Sequence, residues 1–187
     1  MKRLTSIGLL LVLVAAIPAG ASTFLKMTPR DLVRDSAAVI QGEVLKVSSF
    51  WEPTGRMVVT EALVRVEDKL FGNAPSVVVV RTFGGRVGDF VVEAHGFPKF
   101  QVHEKVLLYL EAERDGASKV AGYQQGQFRI VRDPAGVEYA VPATDDDARL
   151  VGPDGRAAAP AKALRLDELR ESIRSEAQRA GRPTFEN

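Results

Sequence analysis

The stretch "MVVTEALVRVEDKLFG", residues 57–72, constrains this chain more than any other. Val58, Thr60, Ala62, Val64 and Val66 alternate with Glu61, Arg65 and Glu67. A period of two is that of an extended strand with one wet face, not of a helix. The residues before it, "VIQGEVLKVSSFW", are equally rich in strand formers, with Gly42 set inside them. A glycine within a strand marks a bulge or sharp bend. After the break "GNAP" come "SVVVVRTF", "VGDFVVEA", "KVLLYLEA", "SKVAGYQ", "QFRIVR" and "VEYAV". Their separators, "DGA" at 115–117 and "DPAG" at 133–136, have the residues of tight turns. Roughly seven or eight short strands so spaced predict a mainly β fold, a small closed or nearly closed antiparallel barrel. A β-sandwich is the alternative.

A helix is expected on either side of the barrel. Thr28-Pro29 ahead of "RDLVRDSAAVI" supplies a side-chain cap and a proline at the first helical position, predicting a short N-terminal helix at about 28–37. "LRLDELRESIRSEAQRAG" predicts a C-terminal helix over about 165–180, ended by Gly181 and Pro183, with Leu166, Leu169 and Ile173 as a narrow apolar stripe. Packing of that stripe on its own barrel is favoured over a partner. Between barrel and helix, "ATDDDARLVGPDGRAAAPAKA" shows little periodicity and reads as a mostly irregular connector over 142–163.

Residues 1–21 predict the compartment. Lys2 and Arg3 precede the apolar "IGLLLVLVAAIPAG", which ends in Ala19-Gly20-Ala21. That is a secretory signal with a small-x-small cleavage site, so the mature chain is expected to start at Ser22 and to be secreted or periplasmic. The run is too short to favour a membrane span, and a retained anchor is the alternative. The domain layout expected is therefore a signal peptide at 1–21, a barrel at 22–141, a connector at 142–163, and a helix with tail at 164–187. The formal charge is +1 with the two leader cations included, so no basic excess points to nucleic acid or an anionic membrane surface. The chain has no cysteine, which removes disulfides, thiolate catalysis and thiolate zinc sites, and leaves the core to hold the fold.

"VVVVRTFGGRVGDFVVEAHGFPKF", residues 77–100, raises the question of a phosphate loop. A nucleotide loop needs a helix after its glycines, and a P-loop needs Gly-Lys-Ser/Thr. Gly84, Gly85 and Gly88 lead instead into the β-rich "DFVVEA", so these glycines are read as a structural turn. The two histidines, His95 and His103, lie near Glu93 and Glu104, but the spacing matches no familiar ligand pattern. Asp145, Asp146 and Asp147 lack the spacing of a calcium loop, and Glu67-Asp68 reads as solvated charge. No Gly-x-Ser-x-Gly elbow is present. No metal, cofactor or catalytic residue is assigned. Phe83, Phe90, Phe97, Phe100, Tyr109, Tyr123 and Phe128 fall in or beside strands, where core filling is favoured over base stacking.

Several segments carry a resemblance. "DSAAVIQGEVLKV", "VVTEALVRVEDKLFGNAPSVVVVRTFGG", "GFPKFQVHEKVLLYL" and "GYQQGQFRIV" resemble an uncharacterised group of secreted bacterial proteins. The likeness covers about 22–141 and includes the start "STFLKMT", a Gly-x-Pro-x-Phe segment and a Gly-x-x-Gln-Gly-x-Phe segment. At 103–104 this chain has His-Glu where the group has Gly-Glu. The layout is also similar to a cysteine-free netrin-like module, the OB-type barrel of tissue inhibitors of metalloproteinases. That resemblance implies a protein partner such as a secreted zinc protease, met by Ser22, Thr23 and Phe24 at the processed N-terminus. The inhibitors use an N-terminal cysteine there, and this chain has serine. The expected function is a secreted, non-catalytic binding domain, a protease inhibitor or accessory in its most specific form. The alternatives are a small-ligand or glycan-binding barrel, with Phe83, Phe97 and Phe100 near its site, and a hydrolase built on Glu93, His95 and Glu104.

Overall fold

The computed structural model describes residues 22–145 and 147–181. The expected signal peptide, Asp146 and Pro183 lie outside the described residues. The elements run β1 (Ser22–Leu25), α1 (Pro29–Asp35), β2 (Ala38–Trp51), β3 (Val58–Gly72), β4 (Val77–Phe83), β5 (Gly85–Val87), β6 (Phe90–Val92), β7 (Lys105–Ala112) and β8 (Ser118–Val120). A single 3-10 turn over Tyr123–Gly126 comes next, then β9 (Gln127–Arg132), β10 (Glu138–Pro142), β11 (Ala148–Val151), β12 (Leu164–Arg165) and α2 (Leu166–Arg179).

Five strands close on themselves. β2 pairs with β3, β3 with β4, β4 with β8, β8 with β7, and β7 returns to β2. All these pairs are antiparallel except β4 with β8. The expected small OB-like barrel, rather than a sandwich, is the architecture. The long strands β2 and β3 bend to make closure possible, and their register shifts at Gln41/Gly42. A methyl group at Gly42 would run into the Arg65 carbonyl, so the bend admits no larger residue.

The free edge of β7 is divided. Val106–Leu108 pair with β9, while Leu110–Ala112 pair with β8. The chain therefore leaves the edge of β7 after Ala121, whose amide still donates to the Tyr109 carbonyl at 2.8 Å, and re-enters it at Gln127, with residues 122–126 looping between. β9, β10 and β12 then extend the sheet past the barrel.

Alternation along these strands makes two apolar layers. Ile40, Val44, Ala62, Val64, Val80, Val106, Leu108 and Phe100 fill the barrel. Val39, Phe71, Leu107, Tyr109, Phe128 and Ala140 face the other way, beneath α1 and α2. α1 begins with the expected cap: Thr28 Oγ1 accepts from the Asp31 amide at 3.2 Å, and the Asp31 carboxylate accepts from the Thr28 amide at 3.1 Å. α2 buries Leu166, Leu169, Ile173 and Ala177 on this layer, so its apolar stripe packs in cis. Arg170, on the flank of that stripe, donates to Gln41 of β2 and pairs with Asp68 of β3 at 3.2 Å.

The 142–163 segment is more regular than its composition implies. It contains β11, which pairs in parallel with β1, from Ser22 opposite Ala148 to Leu25 opposite Val151. Neither four-residue strand has a period to read, and each is defined by a partner more than a hundred positions away.

If α2 is part of the core, Ile173→Ala, at a site only 1% exposed, costs about 2–4 kcal/mol. Urea denaturation should show one transition moved to lower denaturant, not a separate unfolding of the helix.

Candidate binding face

The two sequence segments singled out by their motifs, Gly96–Phe100 and Gly122–Phe128, meet at the break in the β7 edge. The Gln124 amide donates to the Gly96 carbonyl at 3.0 Å, and Gln127 Nε2 donates to the Lys99 carbonyl at 2.7 Å. Thr82 Oγ1 donates to the Pro98 carbonyl at 3.1 Å. The 94–100 loop is thus tied to the barrel along its length. Gln125 reaches the opposite way: its Oε1 accepts from the Met27 amide at 2.8 Å, and its Nε2 donates to the Leu25 carbonyl at 3.0 Å. One short motif therefore holds both the loop and the N-terminal strand.

This clamp assembles a row of rings. Phe24 lies 4.8 Å from Tyr123, Tyr123 lies 5.1 Å from Phe97, and Phe97 lies 5.2 Å from Phe83, the last two contacts edge to face. Gly96 is required beside them, because any side chain there would strike the Phe24 ring. Tyr123 has φ 60°, a left-handed conformation that costs a non-glycine residue about 1–2 kcal/mol. The ring so held is 46% exposed, as is Phe83 at 44%. Of the candidate residues, Phe24, Phe83 and Phe97 are thus brought together. Phe100 is not, since its side chain points into the barrel core and is only 9% exposed. Ser22 and Thr23 lie in β1, paired with β11. Tyr123, read from sequence as a packing residue, is the member that joins the row; the Gly122 before it is the only local sign of an unusual backbone.

A cleft of about 280 Å³ opens between Phe83, Phe97 and Tyr123. Its charged edge is internally paired. Arg81 binds Glu61 at 2.7 Å, Asp115 at 2.6 Å and Glu113 at 3.3 Å, and Lys119 binds Glu111 at 2.9 Å. Arg81 holds the Asp115 carboxyl below the usual range, and Glu111 raises the Lys119 ammonium.

Gly84, Gly85 and Gly88 all have positive φ, and a hairpin, β5 to β6, runs through Gly88. Gly85 also lies against the hydroxyls of Ser49 and Thr60, where no side chain fits. The histidines face different carboxylates. His103 Nδ1 is 3.4 Å from Glu43, whereas His95 Nδ1 is 3.6 Å from both Asp145 and Asp147. Glu104 accepts from the Gln101 amide at 3.0 Å, and burial raises its pKa. His95, Asp145 and Asp147 could each offer a ligand atom to one ion, within 4.8 Å of one another. Lys99 Nζ, 3.4 Å from Asp145 Oδ2, already brings a positive charge to that position.

Asp145 itself fastens the loop, its side chain only 7% exposed and its Oδ2 accepting from the Gly96 amide at 3.1 Å. Burial opposes its ionisation, but the Gly96 and Asp147 amides and Lys99 outweigh that and hold its pKa below the usual value. A depressed carboxyl stabilises the fold above its unfolded pKa and loses that contribution as pH falls through the folded one. Asp145→Asn should therefore cost about 1 kcal/mol near neutral pH, and the difference from the unmodified chain should shrink below pH ~4. Denaturation curves at the two pH values check this.

Comparison of the chain with protein-family models, curated proteins and solved structures found no match.

Proposed function

We propose that this chain is a non-catalytic binding domain acting outside the cytoplasm, and that Phe24, Tyr123, Phe97 and Phe83 form its recognition face for a protein partner. The observation that carries the reading is Tyr123: a strained backbone is kept in order to hold an exposed ring in register with three others. Exposed aromatic side chains around a small cleft are the usual anchors of a protein interface. A glycan needs free polar groups beside the rings, and those bordering this cleft are paired with one another. An apolar anchor side chain from a partner needs none.

The netrin-like resemblance supplies the most specific partner, a secreted zinc protease. In that module the free N-terminus performs the contact. Here residues 22–25 are paired along their length, and Phe24 packs on Tyr123, which favours contact through the face of the row.

Phe83→Ala and Tyr123→Asn should each weaken capture of the partner at least about tenfold while leaving the thermal midpoint of the domain in place. Asparagine tolerates the left-handed backbone that Tyr123 occupies. Undiminished capture by the double variant sinks the proposal.

A chain beginning at Ser22 and one extended by a single residue should inhibit a secreted zinc protease equally. Inhibition lost on extension would favour chelation through the terminal amine instead.

A further inference from the structure

A second cavity, of about 730 Å³, lies around the corner from the aromatic row. Its floor is the outer face of the barrel, at Tyr109 and Phe128, with Leu32 of α1 and Leu169 of α2 beside them. Its roof is the arm that succeeds β10. The roof contributes small side chains: Ala143, Ala157, Ala158 and Ala161 all line the cavity. The size lies within the range of small-molecule sites, roughly 300–1,000 Å³.

Two polar side chains interrupt this apolar wall. Tyr109 is 1% exposed and Gln124 is 6% exposed, and both line the cavity. Among the described residues neither the Tyr109 hydroxyl nor the Gln124 side-chain amide makes a hydrogen bond. Both polar groups are therefore free to bond a molecule that enters the cavity. Together they offer O–H and N–H donors and two acceptors to a molecule in the cavity. Burial also pushes the Tyr109 phenol upward, so it remains a neutral donor.

The mouth has a different character. Lys26, Arg149 and Lys162 line it, and Arg149 and Lys162 make no ion pair among the described residues. The single carboxylate there, Asp145, is already engaged by the Gly96 amide and Lys99.

From the apolar walls, the two unpaired hydrogen-bonding groups and the cationic mouth, we infer that the cavity binds a free long-chain carboxylic acid carrying a hydroxyl or oxo group along its chain. The chain lies against Leu32, Phe128 and Leu169. Its oxygen bonds Tyr109 and Gln124, and its carboxylate stays at the mouth with Arg149 and Lys162. The site is separate from the aromatic row and does not depend on it.

Calorimetric titration of the purified chain with ricinoleate, oleate and methyl ricinoleate, each below its micelle concentration, tests the three elements separately. Ricinoleate should bind tightest. Oleate, lacking the hydroxyl, should bind about tenfold more weakly, the size of one buried hydrogen bond. The methyl ester, lacking the charge, should bind several-fold more weakly than ricinoleate. In Tyr109→Phe the preference for ricinoleate over oleate should fall towards one, with no loss of thermal stability, because the hydroxyl removed has no protein partner. Ala161→Trp, on the exposed roof, should weaken all three. No binding of any of them, equal binding of ricinoleate and oleate, an unchanged preference in Tyr109→Phe, or indifference to Ala161→Trp would each overturn the assignment.

Discussion

Everything in this molecule depends on strands that are buried on both faces. Ile40 and Val44 of β2 point into the barrel, while Val39 beside Ile40 points at the helices. Leu107 and Tyr109 of β7 alternate with Val106, Leu108 and Leu110 in the same way. A chain without cysteine has no disulfides, so apolar burial is the main term opposing its conformational entropy. A five-stranded barrel interior is small, and the second layer under α1 and α2 enlarges the core without enlarging the barrel. The helices are therefore structural parts of the domain rather than appendages.

The same geometry explains where binding features can form. A strand edge shared between β8 and β9 forces the chain out of the sheet at 122–126, and residues expelled from a sheet must find other partners. Gln125 and Gln127 spend their amides on the N-terminal strand and on the 94–100 loop. Tyr123 and Gln124, their neighbours, are the two whose side chains are left to face solvent and cavity. Recognition and structure are thus divided between adjacent residues of one motif.

How much of this was legible in the sequence depends on the range of each interaction. Period-two alternation in β3, the Thr28 cap and the Leu166, Leu169 and Ile173 stripe are local patterns, and each marks a real element. Fold class was therefore readable. β1 and β11 were not, because four residues without alternation are a strand only once a distant partner is in place. The aromatic row was readable in three of its four members: Phe24, Phe83 and Phe97 could be named, but Tyr123 joins them through a backbone angle that its residue type disfavours. Phe100 shares a motif with Phe97 and points the other way, which the motif alone does not reveal. The large cavity was invisible, since alanine and proline in a connector look the same whether they cover a void or open water.

The β1–β11 ribbon ties Ser22–Leu25 to residues more than a hundred positions later, a long loop closure. Closing a loop of that length carries an entropic cost that the four-residue pairing must offset. Phe24 reaches the ring row from one side of this ribbon, and Arg149 and Leu150 border the cavity from the other. The same four-residue ribbon thus supplies one wall to each of two otherwise independent surfaces, and two distant stretches of the polypeptide act as one latch.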